Sequence, residues 1–86
     1  MFTINAIKNM VKNVLENEKN FSKNGDTFTV YNGKNEKLNV HLTIAQVQIF
    51  KNSDHIKSIK IEPKKEFKEA EKQVREIMKF IKEYTK

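Results

Sequence analysis

From Pro63 onward, apolar residues recur at steps of three and four: Phe67, Ala70, Val74, Ile77, Met78 and Ile81. Residues so spaced stack on one side of an α-helix, so this stretch predicts a helix with one face seeking a core. Ile4, Ile7, Val11, Val14 and Leu15 repeat the pattern near the start and predict a first helix over 3–19. Thr3 is placed to cap it, its hydroxyl accepting from an unpaired N–H of the first turn. Asn5, Lys8, Asn9, Lys12 and Glu16 take the wet side. Between the helices the period falls to two. Thr27 to Tyr31 alternates and is rich in β-formers, and Leu38, Val40, Leu42 and Ile44 continue the alternation on a second strand. Residues 20–26, with Ser22, Asn24 and Gly25, predict a loop with Phe21 tucked under the sheet edge.

Register follows from keeping apolar faces together. Asn32-Gly33 is the usual two-residue hairpin signal, but it would set Phe28 against Lys37 and Val30 against Asn35. A loop of three or five residues centred on Lys34 sets Phe28 against Val40 and Val30 against Leu38 instead. A one-residue slip flips every side chain, so the pattern outweighs the dipeptide. After Ile44 the apolar positions switch to Ala45, Val47 and Ile49. With no Gly or Pro to make a turn, this predicts a β-bulge near Ile44-Ala45 that bends one strand over 37–51. A turn at Asn52-Ser53-Asp54 leads to a third strand, His55 to Glu62. It pairs Val47 with Ile59 and Ala45 with Ile61 on the core face, and Phe50 with Ile56 on the outer face. Pro63 suits the first position of the last helix.

The expectation is one α+β domain over 1–86, in the order α-β-β-β-α. A three-stranded antiparallel sheet carries both helices on one face. The expected core is Ile4, Ile7, Val11, Val14, Phe28, Val30, Leu38, Val40, Leu42, Val47, Ile49, Ile59, Ile61, Phe67, Ala70, Val74, Ile77 and Ile81.

Composition narrows the function. The 86 residues contain no cysteine, which excludes disulfides and thiolate metal sites. No apolar run approaches the roughly 20 residues of a membrane span, and Asn5, Lys8 and Asn9 interrupt any leader-like core. The reading is a cytoplasmic protein with no membrane partner. Net charge is +6, with 17 Lys and Arg against 11 Asp and Glu, and eight of those cations lie in residues 63–86. Arg75 is the one arginine. Lysine suits phosphate attraction, whereas bidentate reading of bases favours arginine.

Catalytic patterns find little support. Ser53-Asp54-His55 spells a triad in adjacent letters, but triads are assembled in space, and these are good turn residues. His41 falls on a wet strand face. Two histidines and scattered acids lack ligand spacing, and two isolated glycines cannot build a phosphate loop. Glu69, Glu76 and Glu83 form a solvated helix edge. The sequence therefore points to a protein that is not an enzyme and uses neither cofactor nor metal.

Two surfaces remain. Lys64, Lys65, Lys68, Lys72, Arg75, Lys79 and Lys82, continued by Lys86, form a basic row on a helix of about 22 residues. Such a helix spans about 33 Å, long enough to track a nucleic-acid backbone. The strand order and Lys64-Lys65-Glu66-Phe67-Lys68 resemble the double-stranded-RNA-binding domain, whose last helix opens with Lys-Lys-x-Ala-Lys. Phe67 stands where that family has a small residue. Asn32-Gly33-Lys34-Asn35-Glu36 stands in place of its Gly-Pro-x-His loop. The resemblance implies that Lys64, Lys65 and Lys68 meet phosphates across a groove. The second surface is the outer sheet face, where Tyr31, His41, Gln46, Gln48, Phe50 and Ile56 mix polar groups with aromatic anchors. The leading expectation is a non-catalytic protein that binds nucleic-acid backbone without sequence preference through the last helix. The alternative is a small protein-binding regulator or inhibitor, of the kind phages and plasmids encode. It would act through the sheet face, homodimerisation being one case.

Overall fold

The computed structural model describes residues 1–18, 20–32 and 36–84. Its elements are α1 (Ile4–Glu16), β1 (Ser22–Asn24), β2 (Thr27–Asn32), β3 (Glu36–Leu42), β4 (Gln46–Lys51), β5 (Asp54–Lys60) and α2 (Phe67–Tyr84). The strands form one antiparallel sheet in the order β1-β2-β3-β4-β5. Among the described residues the protein is thus α+β with five strands, and the expectation of three is corrected.

Both extra strands have local causes. β1 lies in the stretch expected to be a loop and pairs Ser22 with Thr29 and Asn24 with Thr27. Gly25 turns the chain between β1 and β2 at φ +64, a conformation in which a Cβ would cost about 1–2 kcal/mol. All three residues of β1 are exposed, so no hydrophobic alternation announces them. The expected bulge at Ile44-Ala45 is instead a hairpin between β3 and β4, with Leu42 opposite Val47 and Val40 opposite Ile49. A two-residue connection pairs even positions with odd ones. The switch of parity is therefore what keeps both apolar sets on one face. Thr43 does the work expected of glycine or proline. Its N–H donates to the Gln46 carbonyl at 2.9 Å, and its hydroxyl accepts from the Gln46 N–H at 3.0 Å. Ile44, at the tip, is 89% exposed.

A register shift does occur, one hairpin later. Val47 faces Ile59 as expected and Ile49 faces Lys57, but Phe50 faces His55. The turn is the pair Asn52-Ser53, both at positive φ, and the extra residue is taken up between β4 and β5. Ile56 accordingly packs against the core and does not join Phe50 on the outer face. Between β2 and β3 the register is the expected one, Phe28 against Val40 and Val30 against Leu38. Asn32 opposite Glu36 leaves residues 33–35 to connect them. α1 ends at Glu16 with Asn17 as its cap, so the expected helix end at Lys19 is too late. The predicted centre at Lys34, the Gly33 signal and the last lysine, Lys86, lie outside the described residues.

Ile7, Val11 and Leu15 of α1 and Ala70, Val74, Ile77, Met78 and Ile81 of α2 close over the inward strand residues in one core. Both helices therefore cover the same face of the sheet. The Thr3 hydroxyl caps α1, accepting from the Ala6 N–H at 3.1 Å. Val14, 36% exposed, and Phe67, 55% exposed, sit at the margins of the core, and Ile4 and Ile59 are only half-buried. The helices run side by side in the same direction. At one end Phe2 and Lys64 exchange backbone hydrogen bonds of 2.6 and 2.9 Å, and the Phe2 and Phe67 rings lie 5.8 Å apart. At the other, Lys82 reaches Glu18 at 3.5 Å. Because Lys64 is committed to that bridge, α2 begins at Phe67 and not at Pro63. The Gln73 side-chain amide then fastens α2 to the chain leaving β5, donating to the Glu62 carbonyl and accepting from its N–H, both at 2.9 Å.

Candidate nucleic-acid interface

The cations of the α2 surface differ in what holds them. Lys64 and Lys65 precede the helix, and Lys64 lies 3.9 Å from Glu62. Arg75 pairs with Glu71 one turn back at 3.3 Å, and Lys82 pairs with Glu18. Lys68, Lys72 and Lys79 are exposed and form no ion pair among the described residues. Lys79 lies eleven helical steps beyond Lys68, about 16 Å along the axis. Of the seven cations expected to form one row, Lys64, Arg75 and Lys82 are thus paired with carboxylates, Lys65 precedes the helix, and Lys68, Lys72 and Lys79 are the helical lysines left without an ion pair among the described residues.

The acids of α2 also divide. Glu69 and Glu76 line a cleft of about 460 Å³ between α2 and the β5 edge, with Lys60, Lys64 and Lys72 beside them and Phe80 at its wall. Lys57 comes to this flank from β5, its ammonium 4.7 Å from the centre of the Phe80 ring. Glu83, expected beside Glu69 and Glu76, instead lines the groove between α1 and α2 with Arg75, Lys79 and Lys82, over an apolar floor of Val14, Val74 and Met78. The lysines on the α1 flank are engaged elsewhere. Lys12 at 3.4 Å and Lys8 at 3.7 Å meet Asp26, and Lys23 meets Glu16 at 2.6 Å. The Lys12 hydrogen bond, reinforced by Lys8, holds the Asp26 carboxyl below its ordinary range, and Lys23 does the same for Glu16.

The outer sheet face is a broader surface than three strands would give. Register aligns Asn24, Thr27, His41, Gln48 and Ser58 in one row across all five strands. Ser22, Thr29, Asn39, Phe50 and His55 form the next, with Tyr31 beside Lys37 beyond it. Gln46 lies at the other margin. Neighbours are joined by side-chain bonds. His41 Nδ1 and the Thr27 hydroxyl are 2.8 Å apart, the Thr29 hydroxyl donates to Asn39 Oδ1 at 2.6 Å, and Gln48 donates to Gln46 at 3.4 Å. The Phe50 and His55 rings meet edge to face at 5.3 Å, and His55 Nε2 lies 2.6 Å from the Ser58 hydroxyl, so His55 turns away from Ser53. Asn24, Lys37, Asn39, His41, Gln48 and Phe50 line a shallow depression of about 580 Å³ here. Tyr31 stands out of the face, 69% exposed.

These two rows contain no carboxylate. Glu36 shares the parity of the core positions of β3, and the register shift in β5 sets Asp54 opposite Lys51, so both project to the helix side, where Glu36 meets Lys51 at 3.4 Å. Sequence reasoning missed Ser22, Asn24 and His55 on this face. The Asn24-Gly25 turn signal would have found the first two.

Among the described residues no three His, Cys, Asp or Glu side chains gather as a metal site, and no helix is long and apolar enough to cross a membrane. The resemblance to the double-stranded-RNA-binding domain rested on three strands and on Lys64 and Lys65 opening the helix, and both are overturned. No family model matches the chain, and no curated protein or solved structure is significantly similar to it.

Proposed function

We propose that the protein is a non-catalytic binder of nucleic-acid backbone, acting in the cytoplasm without sequence preference through the exposed side of α2. One observation carries the reading. Lys68, Lys72 and Lys79 stand in solvent on a rigid helix with no carboxylate partner among the described residues, whereas the protein's other helix-side lysines are largely paired. Unpaired ammonium groups attract phosphate and displace its counterions without first breaking an ion pair. Their chemistry reads charge and not base identity.

The test is binding of a duplex at several salt concentrations. Affinity should fall steeply as salt rises. In the Lys68→Ala, Lys72→Ala, Lys79→Ala triple variant the slope of log affinity against log salt should flatten by about 2–3, near 0.9 for each lost phosphate contact. A triple variant that binds the duplex with the affinity and slope of the parent protein overturns the reading.

A further inference from the structure

We propose that the outer sheet face is a second binding site, built for single-stranded nucleic acid held by its bases. The proposal does not rest on the helix site, since it concerns the opposite side of the molecule and a different part of the ligand.

Three features of the face converge on this ligand. The first is charge. Glu36 and Asp54 are turned to the other side of the sheet, so a polyanion crossing the two central rows meets two imidazoles and no carboxylate, with Lys37 next to them beside Tyr31. The second is stacking. Tyr31 is 69% exposed on its strand, and Phe50 lies across β3 from it, its ring steadied by the steeply inclined contact with His55. Aromatic side chains standing on a sheet supply platforms for unpaired bases, which a closed duplex does not offer. The third is hydrogen bonding. Asn39, His41 and Gln48 stand in successive pairs beside Phe50, and their amide and imidazole groups can donate or accept at a base edge. Side-chain bonds to Thr27 and Thr29 fix the His41 ring and the Asn39 amide in place before a ligand arrives. Five strands set about 4.8 Å apart make the face roughly 19 Å wide, room for several unstacked nucleotides.

The experiment measures binding of a fluorescent oligothymidylate of about ten nucleotides, and of its uridine counterpart, to the Lys68→Ala, Lys72→Ala, Lys79→Ala protein. Removing those lysines separates this site from the helix site. The single strand should still bind, and adding Tyr31→Ala or Phe50→Ala should weaken it about 5- to 150-fold, the range for one lost base stack. Tyr31→Phe should bind like the parent. Tyr31 is largely exposed, so its loss leaves folding intact, which a thermal melt verifies. Asn39→Asp should also weaken binding, by placing a carboxylate in the middle of the face. The proposal is overturned if the single strand fails to bind the triple variant, if neither aromatic substitution changes its affinity, or if the face engages only a protein.

Discussion

On β2, Phe28 and Val30 are buried beneath the helices, while Thr27, Thr29 and Tyr31, each one residue along, face water. The same strands thus build two surfaces of opposite kind. One excludes water and takes whatever apolar side chain fills its volume. The other is made of hydroxyls, amides, imidazoles and two aromatic rings, with the strand carboxylates sent elsewhere. Burial explains the first face fully, because each side chain withdrawn from water contributes about 1.5–3 kcal/mol. It explains nothing about the second. Thr, Asn and Gln suffice for a solvated antiparallel face, so acids should be as acceptable there as lysines. What the helix-side face needs is set by folding, and what the outer face lacks is a clue to function.

The largest effect that can test this division lies at the β3–β4 hairpin. Leu42 is buried on the helix side, and Ile44, two residues on, would share that side if the strand simply continued. It does not, so the two positions should behave as though on different surfaces. Leu42→Ala should cost about 2–5 kcal/mol, much of the stability of a domain this size. Ile44→Ala should change stability by no more than about 0.5 kcal/mol. Urea denaturation followed by circular dichroism measures both. Comparable losses at the two positions would mean that Ile44 is a core residue and the hairpin is wrong.

That hairpin also shows where the sequence was legible and where it was not. Period-two patterning set Phe28 against Val40 and Val47 against Ile59, because only those registers keep apolar residues together. Thr3 was readable as a cap from its place before the first helical turn. A change of parity, by contrast, has two physical solutions, a bulge or a two-residue turn. Glycine and proline usually decide between them. Here Thr43 closes the turn with its own side chain, a bond visible only once Gln46 is beside it. β1 escaped notice because Ser, Lys and Asn have no apolar phase. The start of α2 was misplaced because Phe2, far away in the chain, holds Lys64 in an extended conformation. For the candidate site, helical spacing revealed the cations of α2 but not which of them carboxylates would claim. Glu71 lies four residues before Arg75 and could be read as its partner, whereas Glu18 comes to Lys82 only through the fold.

A smaller effect is expected at the β4–β5 turn, where backbone conformation and contact separate. Asn52 and Ser53 both have positive φ, 50 and 79. Asn52 repays the strain by tying the turn to β3. Its N–H donates to the Lys37 carbonyl at 2.8 Å, and its Oδ1 accepts from the Lys37 N–H at 2.7 Å. Among the described residues Ser53 has no such bond, so Ser53→Gly should relieve strain and stabilise the protein by about 0.5–1 kcal/mol. A destabilised Ser53→Gly variant in the same denaturation experiment would mean that the serine hydroxyl has a part in the turn.

The smallest effect concerns the carboxylates that keep to the helix side. Asp26 sits in the β1–β2 turn and is held by Lys12 and Lys8 of α1, so its carboxyl titrates below the ordinary value of 3.8. A carboxyl whose pKa is lower folded than unfolded stabilises the protein above the unfolded value. That stabilisation is lost as pH falls through the lower, folded value. Asp26→Asn should therefore be slightly less stable than the parent at neutral pH, and the two should converge as pH drops below about 4. Salt should shrink the gap at neutral pH, because the pair lies in solvent. Binding of a single strand should be untouched, since the charge removed faces the helices and not the outer rows. If Asp26→Asn instead strengthened single-strand binding, its charge would be felt across the sheet. The two faces would then not be electrostatically separate, and the absence of acids from the outer rows would lose its meaning.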